Sequence, residues 1–69
     1  MRISARNVLR GKVVSVQRGA TTAHVRLDIG NGATVTASVT NEAVDELGLR
    51  EGVAASAVIK ASDVMVAVD

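Results

Sequence analysis

The stretch TAHVRLDIGNGATVTASVT, residues 22–40, restricts this chain more than any other part of it. Before the central GNG, Ala23, Val25, Leu27 and Ile29 alternate with Thr22, His24, Arg26 and Asp28; after it, Ala33, Val35, Ala37 and Val39 alternate with hydroxyl residues. Side chains along an extended strand point to opposite faces in turn, so a period of two means one buried face and one wet face. Gly30, Asn31 and Gly32 tolerate positive φ and let the chain reverse as a hairpin.

The flanking sequence extends the pattern. A Val-rich first strand is expected from about Asn7 to Val16, with Gly11 marking a bend or a close backbone approach. RGATT at 18–22 is the turn into the second strand. After the third strand, Thr40 is placed to cap a short helix, NEAVDEL, with Glu42 near its positive end. Gly48 suits the left-handed stop, and Leu49 can fold back on Val44. VAASAVIK and VMVAV then read as two more strands, broken at Ser62-Asp63. The expected fold is all-β: one domain, residues 1–69, forming a five-stranded barrel of the oligonucleotide/oligosaccharide-binding (OB) type with one short helix between strands 3 and 4.

That barrel would have a thin core. Of 69 residues 48% are hydrophobic, but Phe, Tyr and Trp are absent, so each buried side chain removes little area from water. Chains of this size need disulfides, a structural metal or association to gain a margin over chain entropy. With no Cys and one His, association is the remedy left, and a homo-oligomer is expected.

Composition also narrows function. No apolar run approaches the ~20 residues of a membrane span, and the start of the chain lacks a signal-peptide core. Together with the absence of Cys, the expectation is a cytoplasmic protein without a membrane partner. A formal charge of +1, dispersed cations and no aromatic ring for base stacking argue against nucleic acid. Catalysis has no support either. There is no Cys nucleophile, His24 falls on a polar strand face, and Glu42, Asp45 and Glu46 read as a solvated helix face. No spacing suits a metal cation, and no glycine-rich phosphate loop is present.

The two ends of the chain carry a different signal. In strand geometry Ser4 and Arg6 share a face, as do Lys60 and Ser62. Antiparallel pairing of the end segments, within one subunit or across an interface, would gather two cations and two hydroxyls. Such a pocket suits a doubly charged tetrahedral anion, whose oxygens only accept hydrogen bonds. The alternative is that Arg6 and Lys60 are ordinary cations guarding strand edges, and local sequence does not choose between the two.

The segments SARNVLRGKVVSVQRG (4–19), VTASVTNEAVDELGLREG (35–52) and VIKASDVMVAV (58–68) resemble the molbindins, small Mop-like proteins whose unit recurs as the molybdate-binding, TOBE-type domain of transporters and regulators. The resemblance runs essentially the whole length of the chain. It implies an OB-like barrel assembled as a homohexamer, a trimer of dimers, that binds molybdate or tungstate between subunits without an organic cofactor. The implied role is intracellular storage and homeostasis; the alternative is a molybdate-sensing module acting on a transporter or transcription-factor partner. Carried over by position, Ser4, Ala5 and Arg6 would line one side of the site and Lys60, Ala61 and Ser62 the other, with Thr40 adding a hydroxyl or amide. Ala43 departs from the family, where a hydroxyl residue is often found, and removes one donor. The family has a second class of anion site; the turn at Gly19 and Ala20 could present amides there, although ordinary turn chemistry explains it equally well.

Overall fold

Strand β1, Asn7–Arg18, is the spine of the sheet. Its first half pairs antiparallel with β4 (Ala54–Ile59) and its second half with β2 (Thr22–Gly30). β2 then pairs with β3 (Ala33–Thr40), giving the order β3-β2-β1-β4. The computed structural model describes residues 2–69. Only Lys12 lies in both ladders, opposite Asp28 on one side and Ala54 on the other.

Two local devices curl this sheet. At Gly11 the backbones of β1 and β2 come so close that a Cβ would lie 2.9 Å from the Asp28 carbonyl carbon and 3.2 Å from Ile29 Cα. Only glycine leaves room for that approach. Two residues on, the register slips between Val13 and Ser15, so Val14 is an extra residue on the β1 side. A bulge of this kind sharpens the right-handed twist and bends the strand.

The inward rows make the core. Val13, Ala23, Val25, Leu27, Val44 and Ala57 are buried, with Leu9, Val16, Ile29, Val35, Val39, Leu49 and Ala55 packed around them. Val44 is supplied by helix α1, Asn41–Leu47, and is the only residue of that helix to be fully buried. The helix starts where Thr40 Oγ1 accepts the Ala43 amide at 3.0 Å and stops at Gly48 in the left-handed conformation. The Gly48 and Leu49 amides then bond back to the carbonyls of Asp45 and Val44, satisfying groups a helix end leaves open.

The structure corrects the expected strand count: among the described residues four strands form, not five. Residues 64–68 have the composition of a strand, and Val64 is extended (φ −91°, ψ 127°), yet nothing pairs with them. A run of β-branched residues records a preference for extended backbone, whereas a strand also needs a ladder partner. A 3₁₀ turn at Ala61–Asp63 separates the tail from β4, and no strand edge among the described residues takes it up. Met65, Val66 and Val68 are therefore at least 90% exposed. The curled sheet stays open between β3 and β4, along an apolar groove of about 670 Å³ that includes Val35, Val39, Leu49 and Ile59. β1 also runs two residues further than expected, to Arg18.

Candidate functional site

The two ends of the chain do meet. Asn7 and Ile59 form the last pair of the β1–β4 ladder, and Asn7 Nδ2 also donates to the Ile59 carbonyl at 3.2 Å. Residues 4–6 and 60–62 leave from this shared rung. Ser4, Arg6, Lys60, Ala61 and Ser62 are exposed, and Ala5 is half-buried. Among the described residues the single ion pair joins Arg18 to Asp45, so Arg6 and Lys60 both lack a carboxylate partner. Two unneutralised cations at one fork create a field that favours an anion.

Beyond Ile59 the alternation expected for Lys60 and Ser62 stops. Ala61–Asp63 form a 3₁₀ turn closed by the Asp63 amide on the Lys60 carbonyl at 2.9 Å. The amides of Ala61 and Ser62 open that turn, where N–H groups have no acceptor inside the helix. Ser62 thus sits near Lys60 through a tight turn and not through strand parity.

Thr40 belongs to a different place. It ends β3 opposite Thr22, beside the Arg18 end of β1, whereas Arg6 and Lys60 flank the Asn7 end. At a rise of about 3.3 Å per residue, the twelve residues of β1 separate these groups by far more than one oxyanion can span. Thr40 Oγ1 is occupied as acceptor for Ala43, which leaves its hydroxyl hydrogen free to donate. The same bond takes the Ala43 amide out of contention as an anion donor.

Gly19 and Ala20 lie at the Thr40 end. The Gly19 amide donates to the Thr22 carbonyl at 2.7 Å, and its carbonyl accepts Asn41 Nδ2 at 3.0 Å. Of this pair, only the Ala20 amide is left without an acceptor. Asn41 also ties its own amide to the Thr21 carbonyl at 2.9 Å, locking the turn to the helix start. His24 is exposed on the outer face between Gln17 and Ser38. No group of three or more acidic or His side chains among the described residues could hold a metal ion. Nor is any described helix long and apolar enough to cross a membrane.

Sequence reasoning passed over four residues that shape these two ends: Asn7, Asn41 and the Arg18–Asp45 pair. Asn7 had a signal. Before the bulge it is the one polar residue in the inward row of β1, which otherwise reads Leu9, Gly11, Val13.

A small curled sheet, one capped helix and an anion-attracting fork define a binding domain, and the TOBE domain family model matches residues 3–66. The chain belongs to the TOBE domain family. Within it, several relatives named molybdenum-pterin-binding proteins are matched over nearly their whole length, while others are longer chains of which this one spans about a quarter. The chain is 51% identical over 69 residues, all of both chains, to a probable molybdenum-pterin-binding protein of Haemophilus influenzae. It superposes on MopII of Clostridium pasteurianum with a TM-score of 0.90 and 45% identity, covering 97% of this chain and 100% of that one. The molybdate-bound form of ModG, a cytoplasmic molybdate-binding protein, matches with a TM-score of 0.91 and 52% identity over 94% of this chain and 46% of the longer ModG chain.

Proposed function

We propose that this protein binds molybdate, and tungstate equally, at junctions between copies of itself, and serves as a cytoplasmic store of the anion. The observation that carries this reading is the separation of donors within one chain. Arg6 and Lys60 stand unpaired at one end of β1, and the free hydroxyl hydrogen of Thr40 at the other. A ring of donors is complete only where the fork of one chain meets the Thr40 end of another. The bare tail supports association: Val64, Met65, Val66 and Val68 expose apolar strand-forming surface that a second copy would cover. The likeness to ModG, whose structure holds molybdate, supports molybdate as the cargo. The assembly proposed is a homohexamer, a trimer of dimers.

At such a junction Ser4, Arg6, Lys60, Ser62 and Thr40 donate, while the amides beside Ala5 and Ala61 fill the gaps. The anion is held by charge and hydrogen bonds and leaves unchanged, so no catalysis is involved. Selectivity follows from a site made of donors. Phosphate near neutral pH retains a proton that finds no acceptor there, at about 1–3 kcal/mol. Sulfate has the same charge and shape but shorter bonds, so donors set for the larger ion reach it poorly. Molybdate and tungstate are nearly the same size and are held alike. The minor site proposed at Gly19 and Ala20 is weaker, since one of its two amides is already engaged.

Calorimetric titration of the full chain with molybdate, tungstate, sulfate and phosphate tests this, with light scattering for the assembly. Molybdate and tungstate should bind alike and well above the other two. Sulfate binding as tight as molybdate would refute the selectivity, and no molybdate binding would refute the function.

A further inference from the structure

Asn7 is out of place by the rules of its own strand. The inward rows of the four strands carry Leu9, Gly11, Val13 and Val16, then Ala23 to Ile29, Ala33 to Val39, and Ala55 to Ile59. Asn7 is the one polar side chain among these; the other inward polar position of β1 is Arg18 at its far end, opposite Ala23, where the guanidinium reaches out to Asp45. Asn is a poor strand former, and Val at this inward, half-buried position would suit both the ladder and the core. A residue that stability does not favour, at the rung from which the candidate site departs, calls for a reason beyond folding.

Its geometry supplies one. Asn7 Nδ2 donates to the carbonyl of Ile59, the residue opposite it and 52 positions away in sequence. This is a cross-strand bond made by a side chain at the place where the β1–β4 ladder ends. Arg6 follows immediately on one branch and Lys60 on the other, each one Cα step of about 3.8 Å from the clamped pair. Looseness at this rung passes straight into the spacing of the two cations. Holding a ligand requires that spacing to be fixed before the ligand arrives, by bonds behind the groups that touch it.

We propose that Asn7 is the positioning residue of the oxyanion site, setting the separation of Arg6 and Lys60 through its bond to the Ile59 carbonyl; this rests on the site reading given above. Asn7 does not touch the anion. It trades ladder stability for a fixed fork.

The test is to separate affinity from stability in Asn7→Val, with Arg6→Ala alongside. Molybdate titration of Asn7→Val should give binding about tenfold weaker than wild type. Its ligand-free melting temperature should be unchanged or higher, at an unchanged assembly size. Should Asn7→Val not fold, Asn7→Ser, too short to reach the Ile59 carbonyl, is expected to weaken binding to a similar degree. Unchanged affinity overturns the proposal. So does a matched loss of affinity and melting temperature, which would make Asn7 a structural residue only. If Arg6→Ala also leaves affinity untouched, the site itself has been misassigned, and the role of Asn7 falls with it.

Discussion

Replacing Gly11 by alanine should destabilise the fold by an amount the backbone geometry sets. Gly11 does not have a positive φ, so its backbone conformation is open to alanine. Alanine in its place would even gain about 0.4–1 kcal/mol by restricting the unfolded chain. The opposing cost comes from contact. An added Cβ would stand 2.9 Å from the Asp28 carbonyl carbon and 3.2 Å from Ile29 Cα, and closer still to the Asp28 oxygen. Carbon atoms settle at about 3.5–4.0 Å from one another and little closer to oxygen, so the Asp28 oxygen sets the limit and β1 and β2 would have to part by roughly 1 Å or more. Both neighbours are backbone, which no side-chain rotation can relieve. Overpacking of this kind costs about 1–3 kcal/mol, for a net loss of about 1–2 kcal/mol once the unfolded-state gain is subtracted. At about 4–8 °C per kcal/mol for a domain of this size, the melting temperature should fall by roughly 5–15 °C. Far-UV circular dichroism at fixed protein concentration reads it without needing aromatic residues. Gly19→Ala is the control: its added Cβ meets one atom, the Thr22 oxygen at 3.1 Å, and should change stability little. A Gly11→Ala melting temperature equal to wild type would refute the close-approach account of the curl.

Three further outcomes are expected. Arg6→Ala and Lys60→Ala should each weaken molybdate binding by about 2–4 kcal/mol in a calorimetric titration while assembly size is kept; an unaffected variant removes that residue from the site. Thr40→Ala loses the cap on the Ala43 amide and should cost about 1 kcal/mol in thermal melts as well as affinity, whereas Thr40→Ser should retain both. Asp45→Asn breaks the Arg18 ion pair, whose side chains are 46% and 68% exposed, and should cost less than about 1 kcal/mol in denaturant unfolding, a cost that shrinks as salt is raised.

What could be read from the chain itself depended on how local the controlling physics was. The β2–β3 hairpin is explicit in 22–40, because alternation and a turn able to take positive φ act within a few residues. Helix α1 is equally local: Thr40, Val44, Gly48 and Leu49 each play the part their types suggest. The tail from Val64 to Val68 was misread for the opposite reason. Its Val-rich composition suits extended backbone, but pairing depends on a partner strand elsewhere, which no window of sequence reveals. The site divides the same way. Spacing brought out the shared character of Ser4, Arg6, Lys60 and Ser62. That Thr40 would lie beyond the far end of β1 follows only from the ladder order. Asn7 was visible as an exception to the inward row, but its partner, Ile59, was not.

The shared spine has a consequence for the order in which the molecule is made. β1 leaves synthesis first, and its second half can join β2 and then β3 as an unbroken meander of near neighbours. Its first half must wait for β4, whose pairing with Asn7 closes a loop spanning 52 positions. Closing such a loop is the slow kind of step in building a sheet. The nascent protein therefore possesses most of its hydrophobic interior before the branch bearing Arg6 and Lys60 takes shape, and the fork is the last part of the domain to be completed.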